Sequence, residues 1–266
     1  MYEFSYHKAE SLDDALKQLG DSGDAKLLAG GMTLLPAMKQ RLAAPDTLVD
    51  LGGLTALAGI EKHGNTIVVG AMTPHAVVER SDLVKQNIPA LAALAGLIGD
   101  PQVRNRGTLG GSVANADPAA DYPAAVLGLG ATIKTNQRAI AADDFFIDLF
   151  ETALEEHEIV ISISFPIPEK ADYKKFPNPA SRYPVVGVFV AVFNQGKEVR
   201  VAVTGAAGCV FRQTEMEQQL TNEFSVAAIE SIVCDDGDFN EDIHASREYR
   251  AHLIGVMAKR AVADLL

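Results

Sequence analysis

The stretch Ile98–Asp121, IGDPQVRNRGTLGGSVANADPAAD, decides how this chain is read, and the shorter Ala29–Pro36, AGGMTLLP, echoes it about eighty positions earlier. Adjacent glycines reach backbone conformations closed to other residues, so successive N–H groups can converge on an anion with no Cβ in the way. Two such turns predict a divided site that clamps an extended, phosphate-bearing ligand. In the longer segment Gln102, Arg104, Asn105 and Arg106 precede Gly107-Thr108-Leu109-Gly110-Gly111, and Ser112, Asn115 and Asp121 follow. Thr108 offers a hydroxyl, Gly110 and Gly111 permit close backbone approach, and Asp121 is an acceptor for sugar or ribityl hydroxyls. Asp121 is equally placed to cap a helix ahead of Pro123, and Arg104 and Arg106 read equally as solvated charges or partners of acids.

Neither segment is a Rossmann fingerprint, because GxGxxG does not occur between a strand and a helix, and GxxxxGK[ST] is absent. Nucleotide binding by those two routes is excluded. The 266 residues carry 35 acids against 23 bases, a formal charge of −12, which disfavours nonspecific contact with nucleic acid or an anionic membrane. Any phosphate must therefore be held locally, by backbone N–H groups and helix N-termini. Two cysteines, Cys209 and Cys234, exclude a four-cysteine iron–sulfur or zinc site within the chain, and the six histidines show neither HExxH nor paired metal spacing. No apolar run approaches the roughly 20 residues that span a bilayer, and MYEFSYHKAE lacks the basic and apolar regions of a secretory signal. The expected location is cytoplasmic, with no integral membrane segment and no nucleic-acid partner.

Along the chain, Ser11 reads as the N-cap of a helix with an apolar stripe at Leu12, Ala15, Leu16 and Leu19, ended by Gly20. Strands follow at 26–29 and 47–51. A hairpin about His63-Gly64-Asn65 comes next, then a helix opened by Thr73-Pro74, a helix over 89–97, the glycine-rich stretch, a helix from Asp121 to about Leu129, and strands at 131–135 and 159–165. Five prolines between Pro166 and Pro184 predict a linker or extended crossing. Beyond it, strands over 185–193 and 198–203 flank Asn194-Gln195-Gly196-Lys197, a hairpin signature, and helices are expected at about 212–220, 225–232 and 246–265.

The glycine block also resembles a specific family. Ile98-Gly99, Gln102-Val103-Arg104-Asn105, Gly107-Thr108-Leu109-Gly110-Gly111 and Pro118 to Asp121 are similar to the signature of the FAD-binding (medium) subunits of molybdenum hydroxylases. That family includes the carbon monoxide dehydrogenase medium chain and the xanthine dehydrogenase FAD-binding subunit. AGGMTLLP, Glu158-Ile159-Val160 with its strand ending at Pro166, Lys175-Phe176, and Asn178-Pro179-Ala180-Ser181-Arg182-Tyr183 match in order, and Ser246, Tyr249-Arg250 and Arg260-Ala261 suit the family's C-terminal domain.

The resemblance implies an α+β chain: a two-part FAD-binding domain over residues 1–170, built of small α/β units at about 1–54 and 55–170, then a C-terminal α+β domain over 171–266 with an antiparallel sheet and helices. It implies FAD, with its pyrophosphate on Ala29, Gly30, Gly31, Met32 and Thr33 and on Thr108, Gly110 and Gly111. Leu27, Leu28 and Leu34 line the first side by the same carry-over; Ile98, Ser112, Ala114, Asn115 and Asp121 line the second; Val160, Lys175 and Tyr183 complete the set. Met32 departs from the polar residue close relatives often carry. The implied role is electron transfer, with no catalytic side chain and no metal of its own. Molybdopterin and [2Fe–2S] clusters are expected on partners, a large molybdopterin-binding subunit and a small iron–sulfur subunit, in a dimer of heterotrimers. The alternatives are a xanthine dehydrogenase-type flavin subunit, a stand-alone FAD-dependent oxidase or dehydrogenase, and a scaffold that has lost its flavin.

Overall fold

In the computed structural model, which describes residues 1–266, the N-terminal segment builds a three-stranded parallel sheet. Its elements are β1 (Ser5–Lys8), α1 (Leu12–Asp21), β2 (Ala25–Leu28), α2 (Leu34–Lys39) and β3 (Thr47–Asp50), in strand order β1-β3-β2. The Ser11 hydroxyl caps α1 as expected, accepting the Asp14 N–H at 3.1 Å. Gly20 does not end the helix, which runs on to Asp21 with Ser22 as its C-cap. Leu12, Leu16 and Leu19 pack on a core that includes Ala15, Val49 and Leu57. The short, mostly exposed β1 carries no apolar alternation and was not legible.

The second unit opens with the hairpin of β4 (Ile60–His63) and β5 (Thr66–Gly70). Six short helices follow: α3 (His75–Arg80), α4 (Asp82–Asn87), α5 (Pro89–Gly96), α6 (Pro101–Arg106), α7 (Leu109–Asn115) and α8 (Tyr122–Gly128). Strands β6 (Thr132–Thr135), β7 (Ala139–Ala141), β8 (Phe146–Asp148), β9 (Glu151–Thr152) and β10 (Val160–Pro166) complete it; β8 and β9 form a separate hairpin, and the rest join an antiparallel sheet ordered β4-β5-β10-β6-β7. Thr73 does not cap α3. Its hydroxyl instead clasps Gly59, accepting the N–H at 3.0 Å and donating to the carbonyl at 3.1 Å. The glycine-rich stretch is mainly helical, with Asp100 capping α6 and Thr108 capping α7.

The expected linker contains an eight-residue strand, β11 (Lys170–Pro177). It is an edge strand of the sheet it forms with β12 (Pro184–Phe193), β13 (Glu198–Thr204) and β14 (Phe211–Arg212), ordered β11-β12-β13-β14. The prolines that suggested a linker fall at or beyond the strand's ends, so residues 170–176 keep their N–H groups for pairing. The helices α9 (Thr214–Asn222) and α10 (Arg247–Asp264) follow. The helix expected over 225–232 shrinks to a single 3₁₀ turn at Ala227–Ile229; so short a segment cannot offset helix nucleation, and the core takes only Ile229 fully.

Strand β12 is buried along nearly its whole length and divides its side chains between two cores. Val186, Val188, Val190 and Val192 pack with Ile254 and Met257 of α10, whereas Phe189 and Ala191 join the core holding Ala124 and Val126 of α8. Alternation along one strand thus fastens the C-terminal sheet to the second unit.

Glu158, just before β10, closes the loops beside that sheet. Its carboxylate accepts from Arg138 Nε at 3.0 Å, Arg138 Nη2 at 3.1 Å, the Thr135 hydroxyl at 2.6 Å and the Glu155 N–H at 2.8 Å. Led by the Arg138 bonds, these partners pull the carboxyl from 4.5 to about 2. Because the folded form holds the proton less tightly, this contribution to stability is present above the unfolded value and is lost as pH falls from 4.5 through about 2. In urea unfolding at successive pH values, the wild-type midpoint should fall across that window, and Glu158→Gln should flatten the fall.

Candidate functional site

A cavity of about 770 Å³ opens between the β2–α2 turn, the α6–α7 segment and the loop joining β11 to β12. Such a volume lies within the roughly 300–1,000 Å³ range of cofactor and small-molecule sites. On the first side, β2 delivers Leu27 and Leu28 to the wall, and the chain then turns through Ala29–Thr33 into α2. Gly31 has φ +72°, a conformation costly for any other residue. Gly30 answers a different demand: a Cβ there would strike the Arg106 carbonyl oxygen and stand 2.6 Å from Gly107 Cα. Its missing side chain lets the two glycine segments cross in contact.

The N–H groups from Ala29 to Leu34 find no acceptor in the chain, although Gly30 and Gly31 are buried. Buried donors are nearly always paired, and leaving one unmade costs about 1–3 kcal/mol. No charged side chain lies between Ala29 and Pro36. This row of donors therefore fits a bound anion.

The second glycine segment works differently from the expectation. Leu109 N–H donates to the Thr73 carbonyl at 3.0 Å, Gly110 N–H to Ala71 at 2.8 Å and Ser112 N–H to Thr108 at 3.1 Å. Gly111 N–H goes to the Thr108 hydroxyl oxygen at 3.2 Å. These amides are already engaged in seating and capping α7, so the second side offers the Thr108 and Ser112 hydroxyls and the Asn115 carboxamide. Gly110 is small because a Cβ would collide with Ala71, whose Cα would lie 2.7 Å away. Thr108 at the N-cap and Gly111 at N3 stand at the ordinary capping spacing.

Asp121 lines the cavity but makes no cap bond to α8. It is buried, accepting the Tyr173 hydroxyl at 2.8 Å and facing Lys175 Nζ at 2.9 Å. Burial pushes its carboxyl above the ordinary carboxylate range, with Lys175 and Tyr173 opposing. Lys175 itself does not reach the cavity surface. Its ammonium pairs with Asp121 and also donates to the Leu97 carbonyl at 3.0 Å.

Every other expected residue is on the wall: Leu27, Leu28, Ala29, Gly30, Gly31, Met32, Thr33 and Leu34 on one side, Ile98, Thr108, Gly110, Gly111, Ser112, Ala114, Asn115 and Asp121 on the other, with Val160 and Tyr183. Tyr183 comes from the β11–β12 loop, where the Asn178 carboxamide oxygen accepts the Ala180 and Ser181 N–H groups at 2.9 and 3.1 Å. Tyr183 is 45 % exposed, so it is not an enclosed core phenol. Arg104, on α6, is paired with Glu79 at 3.0 Å and donates to the Ile98 carbonyl at 3.1 Å.

Among the wall residues that the sequence did not assign to the site are His75, Asp117 and Phe150. Asp117 is half-buried, and burial raises its carboxyl, opposed by the Ala119 N–H. Phe150 turns the β8–β9 hairpin at φ +55°, with no glycine or asparagine to announce the turn. No group of three or more His, Cys, Asp or Glu side chains is placed to hold a metal ion, and no helix is long and apolar enough to cross a membrane.

Residues 2–168 match the FAD binding domain in molybdopterin dehydrogenase, and residues 171–265 match the CO dehydrogenase flavoprotein C-terminal domain. The chain belongs to the molybdopterin dehydrogenase FAD-binding family. Among its relatives in that family, the carbon monoxide dehydrogenase medium chain of Hydrogenophaga pseudoflava is 35 % identical over 97 % of this chain and 96 % of its own. The nicotine 6-hydroxylase medium subunit of Paenarthrobacter nicotinovorans is 34 % identical over 97 % and 96 %. Reconstituted CO dehydrogenase from Oligotropha carboxidovorans shares the fold with a TM-score of 0.89, at 33 % identity, over 98 % of this chain and 97 % of that one.

Proposed function

We propose that this chain holds one FAD in the cavity and serves as the electron-transfer subunit of a molybdenum hydroxylase resembling carbon monoxide dehydrogenase. The observation that carries the reading is the unpaired row of N–H groups from Ala29 to Leu34 facing a cofactor-sized cavity, in a chain of this family. Those amides hold the diphosphate; Thr108, Ser112 and Asn115 give hydroxyl and carboxamide contacts from the second side; Asp121 accepts from a ribityl or ribose hydroxyl; Leu27, Leu28, Leu34, Ile98, Ala114 and Val160 give apolar wall, and Tyr183 covers the mouth. Lys175 acts through Asp121, fixing the carboxylate's position. Bound flavin supplies one- and two-electron exchange, and the chain's own task is to position it, shield it from water and leave one edge open to partners. The boundary between flavin and C-terminal domains falls near residue 170.

The names of the relatives describe medium subunits, which supports partners: a large subunit with molybdopterin and a small subunit with [2Fe–2S] clusters, in a cytoplasmic dimer of heterotrimers. Quinone or NAD⁺ is the electron acceptor. Substrate choice belongs to the large subunit, and relatives named for carbon monoxide and for nicotine are similar to this chain to the same degree. Incubated with FAD, the purified chain should take up one equivalent, show the two visible bands of oxidised flavin, bleach with dithionite, and oxidise neither carbon monoxide nor nicotine. Absence of flavin uptake would refute the binding reading; turnover by the isolated chain would refute the division of labour.

A further inference from the structure

His75 is the one side chain on the cavity wall that is both almost fully buried, at 4 % exposure, and left with an unpartnered polar atom. Its backbone N–H donates to the Gly107 carbonyl at 3.0 Å. Its ring lies so close to Gly107 that a Cβ there would stand 2.5 Å from Nε2. Gly107 is also the residue on which Gly30 crosses. The imidazole thus stands directly behind the contact between the two glycine segments, next to where the free N–H groups begin.

Its surroundings fix its charge. Burial first, and the Arg104 guanidinium second, push the ring down to about 4. Arg104 is itself held by Glu79, and the Tyr122 ring packs at 5.2 Å. A neutral imidazole has one N–H to give. Nδ1 is sealed within the protein and has no partner there, so the nitrogen a ligand can meet is Nε2, which lies against Gly107 at the crossing and makes no hydrogen bond within the chain. A polar group in that state calls for a partner from the cavity.

We infer that His75 donates its ring N–H to an oxygen of the FAD diphosphate, as a fixed neutral binding group beside the amides of the first turn. This rests on the flavin reading above and extends it to a residue outside both glycine motifs. It also accounts for Gly107, which must lack a side chain for the ring to reach that crossing.

The test uses the full-length apo chain as wild type, His75→Leu and His75→Gln, with FAD titrated by flavin fluorescence and the bound diphosphate observed by ³¹P NMR. His75→Leu should bind FAD about tenfold more weakly and shift the ³¹P signals, and His75→Gln, which restores an N–H, should stay within about threefold of wild type. Apo melting temperatures of the two variants control for packing. Wild-type affinity in His75→Leu, or equal losses in both variants with unchanged ³¹P signals, would overturn the inference while leaving the flavin reading intact. Failure of the wild type to bind FAD would instead bring down the proposed function on which the inference stands.

Discussion

Replacing Gly30 with valine should weaken FAD binding by about 100-fold or more while leaving a folded chain, as followed by flavin fluorescence titration and far-ultraviolet circular dichroism. The reason is contact between the two halves of the site. A side chain at Gly30 would meet the Arg106 carbonyl and Gly107 Cα, backbone atoms that cannot swing aside as a side-chain tip can. The first turn would have to lift from the α6–α7 junction, carrying its N–H groups out of register with the second wall. Overpacking of this kind typically costs 1–3 kcal/mol or more, and about 2.7 kcal/mol is a factor of 100 in affinity. Gly255→Ala is the matched control: it lies within α10 and nothing stands within 4 Å of a Cβ there. It should leave FAD binding unchanged and stabilise the chain by roughly 0.5–1 kcal/mol. A Gly30→Val chain that binds FAD like wild type would show that the crossing is not needed.

Lys175→Met should lower the melting temperature by roughly 10 °C. Asp121 and Lys175 form a buried pair, with side chains 5 % and 3 % exposed. Removing one partner from such a pair costs about 3–5 kcal/mol because the other charge is stranded, and a chain of this size loses about 2–4 °C per kcal/mol. The pair joins the segment before α8 to β11, so its loss loosens the C-terminal sheet against the cavity and should also reduce FAD retention. Combining Lys175→Met with Asp121→Asn removes the stranded charge. Calorimetry should then show most of the lost stability restored, and a double variant as unstable as Lys175→Met alone would contradict the stranded-charge explanation.

What the sequence made legible follows from which physical signals are local. The Ser11 cap, the Gly64 turn and the hairpin at Asn194–Lys197 are encoded by neighbouring residues, and the structure has each of them. Glycine pairs at residues 30–31 and 110–111 announced two close approaches, and both exist. Their shared appearance concealed different jobs: in the first turn the amides are free, and in the second those of Leu109, Gly110 and Gly111 are consumed by the Thr73 carbonyl, the Ala71 carbonyl and the Thr108 hydroxyl. Only tertiary contact with the end of β5 separates the two cases. Strand β11 was hidden because its flanking prolines mimic a linker, and the pairing of Lys175 with Asp121 was hidden because the two lie 54 positions apart. His75 gave no signal at all, since burial of one imidazole depends on the packing of α3 against Gly107.

The most direct test of the account is a backbone ¹⁵N–¹H NMR titration of the apo chain with FAD. The account predicts large changes, with downfield proton shifts, at Ala29, Gly30, Gly31, Met32, Thr33 and Leu34, and small ones at Leu109, Gly110 and Gly111, whose protons already have acceptors. Saturation with one equivalent of FAD that leaves residues 29–34 unmoved, or that shifts residues 109–111 instead, would contradict the claim that the first turn alone grips the diphosphate through its amides.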